Sequence, residues 1–118
     1  MGIQDKPTHR TFEALEVCLM AIRTLRPVVA KVRRCDSDLG EQMRRALSSV
    51  ALNAAEGNAS YGGNRATRFS TAAGSNDEAR AALRVAVAWG YVEPGEAAEG
   101  DALLDRVGAM LYRLGARR

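Results

Sequence analysis

Aromatic residues are scarce in this chain, with one tryptophan, three tyrosines and two phenylalanines among 118 residues. So few rings do not by themselves suggest a base-stacking platform. Tyr61 is the best exposed candidate, while Trp89-Gly90-Tyr91 is expected to pack the end of a bundle. Histidine is rarer still: His9 stands alone, and Ser48 and Ser49 have no histidine near them. That argues against a Ser-His-Asp triad, and with two distant cysteines it argues against a zinc site. No Glu-x-x-His element of the diiron type occurs, and the glycines spell no nucleotide-binding loop. Long apolar runs are missing too, so no membrane span is expected. The opening MGIQDKPTHR lacks the apolar core of a secretory signal, which makes a cytoplasmic location the default. Cys18 and Cys35 then read as reduced thiols, since a disulfide between them would have to bridge most of a helix.

What the chain does have is alanine, and 47% hydrophobic residues overall. Alanine-rich helices bury little area each, so they must pack closely and share burial between helices or subunits. The net charge is +3, but residues 93–105 hold five acids (Glu93, Glu96, Glu99, Asp101, Asp105) and no base, leaving +8 on the rest. A basic body beside an acidic patch suits either a polyanion or a neighbouring subunit.

Helical periodicity runs through four segments, and none alternates in the manner of a strand. In residues 11–34 the stripe is Phe12, Leu15, Cys18, Leu19, Ile22, Leu25, Val29 and Val32, with Thr11 as N-cap and a bend at Pro27. Residues 1–10 are expected to form a flexible segment ahead of a single domain over 11–116. Asp38, or alternatively Ser37, caps the second helix, with Glu41 completing a capping box. Its inward face is Leu39, Met43, Ala46, Leu47, Val50 and Ala54, and it ends near Gly57. Residues 58–64, with two glycines, read as a loop; its junction with Asn64 and Arg65 is a candidate anion cradle. The third helix covers residues 65–89, with Gly74 placed for a close helix crossing. The fourth uses Leu103, Leu104, Val107, Leu111 and Leu114 and frays into Arg117 and Arg118. The pattern predicts an all-α, antiparallel up-and-down four-helix bundle.

Two sets of polar residues need roles. Arg45, Ser49, Asn53 and Glu56 recur at spacings of four, four and three beside the apolar stripe, facing Arg68, Ser75, Glu78 and Arg80 on the third helix. Groups at a core edge need partners, so Arg45 with Glu78, and Asn53 or Glu56 with a third-helix base, are the expected pairs. These residues then form a structural network that fixes register. The second set is Lys31, Arg33, Arg34, Arg44, Arg65, Arg68, Arg80 and Arg84, candidates for contacting RNA or DNA phosphates.

The runs QMRRALSSVALNAAEG and RATRFSTAAGSNDEARAALRVAVAWGYV, with the opening FEALEV, carry a resemblance. They resemble the four-helix-bundle proteins encoded within intervening sequences of bacterial large-subunit ribosomal RNA genes. The resemblance covers about residues 12–112 and is strongest over 39–92. It implies a homopentamer and no enzymatic activity, and it extends to the basic accessory proteins of diversity-generating retroelements, which bind nucleic acid and a reverse transcriptase. It places Arg44, Arg45, Ser49, Asn53, Glu56 and Gly57 in the second-helix motif and Gly74, Ser75, Glu78, Leu83, Gly90 and Tyr91 in the third. The chain departs from it in being less basic than an accessory protein, in its acidic fourth-helix start, and in the small Ser70, Thr71 and Ala72. Two readings follow. One is a non-enzymatic, ring-forming protein that binds RNA or DNA; the other is a structural or protein-docking module. Neither needs a cofactor.

Overall fold

The computed structural model describes the backbone of residues 5–116 and the side chains of residues 13–115. Four helices account for most of it: α1 (Asp5–Cys35), α2 (Ser37–Asn58), α3 (Gly62–Ala88) and α4 (Pro94–Ala116). Among the described residues there is no strand. Each helix packs against its neighbour in sequence, and α4 closes back on α1. The result is a four-helix bundle with extents of 48 × 28 × 19 Å. No described helix is long and apolar enough to cross a membrane.

α1 begins upstream of Thr11, which lies inside the helix instead of capping it, and it runs unbroken through Pro27. The flexible segment expected over residues 1–10 falls outside the described residues for 1–4, and from Asp5 the backbone is helical. The side chains of His9 and Phe12, and the expected fraying at Arg117 and Arg118, lie outside the described residues.

The connections are tighter than the sequence suggests. α1 and α2 are joined by one residue, Asp36, whose extended backbone (φ −154°, ψ 95°) reverses the chain. Its Oδ1 accepts the Leu39 N–H at 3.0 Å, so the N-cap is Asp36 and neither Asp38 nor Ser37. The reversal comes directly after Cys35, and Asp36 is then the side chain flanking the free N–H groups of the first turn. Gly40 permits this corner, because a Cβ there would lie 2.7 Å from Arg33 Cα. Between α2 and α3 only residues 59–61 are non-helical, since Asn58 at one end of the expected loop and Gly62, Gly63 and Asn64 at the other are absorbed into helices. α3 ends in a Schellman turn: Gly90 takes φ 80°, its N–H meets Val87 O at 2.9 Å, and Tyr91 N–H meets Ala86 O at 3.0 Å. Pro94 opens α4, and Glu96 Oε1 accepts the Glu93 N–H at 2.7 Å, half of a capping box.

Two apolar clusters fill the bundle. One gathers Leu25, Val32, Met43, Leu83, Val92 and Leu104, and the other gathers Cys18, Val50, Phe69, Val107 and Leu111. The stripe of α1 keeps Cys18, Leu25 and Val32 of the expected one, all fully buried, but its seam is shifted to one side. Ala14, Val17, Ala21 and Val28 are buried, while Leu15, Leu19, Ile22 and Val29 are half-buried. Small residues take the closest approach, and the larger aliphatics flank the seam. Gly74 makes no close crossing: nothing lies within 4 Å of a Cβ placed there. The tight glycines are Gly40 against Arg33, Gly57 against Phe69 and Gly100 against Leu25. Between the two clusters sits Asn76, 1% exposed, donating from Nδ2 to Leu104 O at 2.9 Å.

Candidate nucleic-acid interface

The polar ladder divides along its length. In the middle, Ser49 Oγ and Ser75 Oγ are 2.7 Å apart across α2 and α3. Asn53 Nδ2 donates to Ser49 O at 3.0 Å and to Ser49 Oγ at 3.1 Å. Further along, Arg68 Nη1 meets Glu56 Oε1 at 3.1 Å, joining the same two helices. The Arg45–Glu78 pair does not form. Arg45 is exposed and reaches Glu41 Oε2 at 3.4 Å on its own helix, and Glu78 is exposed on α3. Arg45 lies one turn from Glu41, so the local pair forms without ordering a side chain across the groove.

The eight arginine and lysine candidates separate into two groups. Five are engaged inside the molecule. Lys31 Nζ lies 3.1 Å from Glu96 Oε2. Arg44 grips Glu41 through both carboxylate oxygens, at 2.6 and 3.2 Å. Arg65 donates to Gly57 O at 3.2 Å, and its guanidinium lies 4.8 Å from the Phe69 ring centroid. Arg68 holds Glu56, as above. Arg80 forks onto Asp101 at 2.9 and 3.1 Å and reaches Asp105 at 2.9 Å. The acidic segment of α4 is thus met by bases of its own chain.

These contacts show in the carboxyl groups. Arg44, chiefly by hydrogen bonding, holds Glu41 down at about 2, with the charges of Arg44, Arg33 and Arg45 adding to it. Asp101 is lowered by its hydrogen bond to Arg80, and Glu96 by the Glu93 N–H and then by Lys31.

The remaining candidates, Arg33, Arg34 and Arg84, make no ion pair among the described residues. The same holds for Arg23 and Arg26, which were not among the candidates drawn from the sequence. A signal for them was present: residues 17–35 contain five bases and no acid. Arg26 and Arg33, seven residues apart, project from one side of α1. With Arg44 and Ser48 of α2 they rim a groove of about 210 Å³, floored by Ile22, Val29, Ala30 and Leu47. Arg33 and Arg34 also sit in the last turn of α1, where cations face the negative end of the helix dipole. Among the described residues, no three His, Cys, Asp or Glu side chains gather closely enough to hold a metal ion.

The model of the 23S rRNA-intervening sequence protein family matches residues 13–113, nearly the whole chain. The chain belongs to that family. No curated protein and no solved structure matches it. Membership accounts for the all-α bundle, and it assigns none of the residues above to chemistry.

Proposed function

We propose that this intervening-sequence family member is a non-enzymatic, self-associating protein that binds the phosphate backbone of RNA or DNA through α1. One observation carries the reading: Arg23, Arg26, Arg33 and Arg34 lie in an acid-free stretch and have no ion-pair partner among the described residues. Phosphates would be neutralised there without breaking an existing pair. Of the original eight, Lys31, Arg44, Arg65, Arg68 and Arg80 serve the bundle first. Self-association, in the homopentamer that the family resemblance implies, is supported by exposed Leu52 and Tyr112, 67% and 75% accessible, in a chain with little area to bury. Two free thiols are in keeping with a cytoplasmic location.

The test is binding of labelled RNA across a salt series. Affinity is expected to fall linearly on a log–log plot, and Arg26→Glu with Arg33→Glu to flatten that slope by roughly one unit for each phosphate no longer neutralised. Absence of binding at low salt would reject the reading. Native mass measurement decides the subunit number. A second reading, docking of a protein such as a reverse transcriptase, is favoured by the apolar floor of the α1/α2 groove. It expects the Arg26 and Arg33 variants to lose the protein partner while no oligonucleotide binds.

A further inference from the structure

Trp89 is the only tryptophan of the chain, and it stands 68% exposed instead of packing the bundle end. It is held in that position. The Schellman turn fixes the backbone around Gly90, and the Tyr91 hydroxyl donates to Asp36 Oδ2 at 3.1 Å. The indole lies nearly parallel to the Tyr91 ring, at 16° and 6.3 Å between centroids. At that exposure most of the indole is open to solvent.

The Tyr91–Asp36 bond ties the α3–α4 turn to the α1–α2 corner, so the same pole carries Arg33 and Arg34. Its acids are Asp36, Asp38 and Glu41 from the α1–α2 corner and the start of α2, and Glu93 and Glu96 from the start of α4. Asp36 is taken up by the Leu39 N–H and the Tyr91 hydroxyl, Glu41 by Arg44 and Arg45, and Glu96 by Lys31 and the Glu93 N–H. Asp38 and Glu93 remain against Arg33 and Arg34, so charge alone attracts little to this pole. A ligand that gains here must bring a flat face of its own together with one or two phosphates. An unpaired nucleotide does so, whereas a duplex keeps its base faces inside the stack.

Building on the nucleic-acid reading above, we infer that Trp89 is a stacking platform for an unpaired base of a single strand whose phosphates lie along Arg33 and Arg34. The partner class is single-stranded RNA or DNA, held at the turn end of the bundle.

Because the chain has one tryptophan, its emission reports this site alone. The full-length protein is titrated at low salt with an oligoadenylate of about 12 nucleotides, within the span of single-strand sites, and with a duplex of equal length. Trp89 emission and the anisotropy of the labelled strand are followed together. The single strand is expected to quench Trp89 saturably, with the same midpoint as the anisotropy, and the duplex to leave emission unchanged. Trp89→Ala should weaken single-strand binding by about tenfold or more and leave duplex binding as it was, with Trp89→Phe restoring most of the loss. Glu93→Gln should tighten it. Single-strand binding with unchanged emission would overturn this inference and leave the nucleic-acid reading intact. Loss of both signals would end both. A blue shift of Trp89 with protein concentration alone would show a second copy covering the indole, and would overturn it as well.

Discussion

Cys18 and Cys35 show how far burial separates two chemically identical groups. Cys18 is fully buried in the second apolar cluster, and burial pushes its thiol up to about 11. A thiol with that value is almost entirely protonated near neutral pH and is also out of reach of reagents. Cys35 ends α1 and is exposed. At about pH 8 a thiol reagent such as iodoacetamide is therefore expected to modify Cys35 in the native protein and Cys18 only after denaturation. Peptide mapping after labelling checks this, and native labelling of Cys18 would show that the second cluster opens readily. The sequence placed Cys18 in an apolar pattern and Cys35 near a helix end, and both placements agree with the structure. It did not show Trp89 turned outward, because a Trp-Gly-Tyr run at a helix terminus has the same composition whether its indole packs or projects. The difference is made by the positive φ of Gly90 and the Tyr91–Asp36 bond, which no local pattern carries.

Helices were readable because apolar spacing of 3.6 residues persists through each of them, and their contacts with one another were less so. In α1 the buried seam falls on Ala14 and Ala21, and an inward alanine cannot be told from an outward one by hydrophobicity. The cap of α2 was misplaced for a similar reason: Asp38 and Glu41 have capping-box spacing, yet the turn closes one residue after α1 and hands the role to Asp36. Glycines are the sharpest case. Gly57 and Gly74 both sit inside helices and both lower helix propensity, by roughly 1 kcal/mol relative to alanine. Their surroundings differ. A Cβ at Gly57 would lie 2.6 Å from the Phe69 ring, itself 1% exposed, whereas one at Gly74 meets nothing within 4 Å. Gly74→Ala is thus expected to raise stability by up to about 1 kcal/mol. Gly57→Ala is expected to lower it by about 1–3 kcal/mol, as overpacking outweighs the propensity gained. Chemical denaturation of the two variants checks the contrast, and a stabilising Gly57→Ala would mean that Phe69 yields easily.

For the whole molecule, the main electrostatic feature is that the basic body and the acidic start of α4 meet inside one chain. Summed charge suggested a free basic surface, but spacing along a sequence does not tell which arginine folds onto which carboxylate. Arg80 links α3 to Asp101 and Asp105, and Lys31 links α1 to Glu96, so α4 is fastened on both sides. Each exposed pair contributes little, and a fork that holds two carboxylates contributes more than a single contact. Their signature is in the pH dependence. Glu41, Glu96 and Asp101 all have folded-state values below the ordinary carboxylate range, because a cation or N–H favours their charged form. Groups depressed on folding add stability that is complete above the unfolded values, about 4, and is lost as pH falls through the folded ones. The thermal midpoint should therefore be level above about pH 5.5 and decline between about pH 4.5 and 2. Arg80→Ala should lower the midpoint at neutral pH, yet its curve should approach that of the parent protein as pH falls through the lowered Asp101 value and the pair is lost in both. Circular dichroism melts over a pH series read this directly. A gap that stayed constant throughout the acid decline would mean that Arg80 stabilises the bundle by packing its stem and not by holding α4 electrostatically.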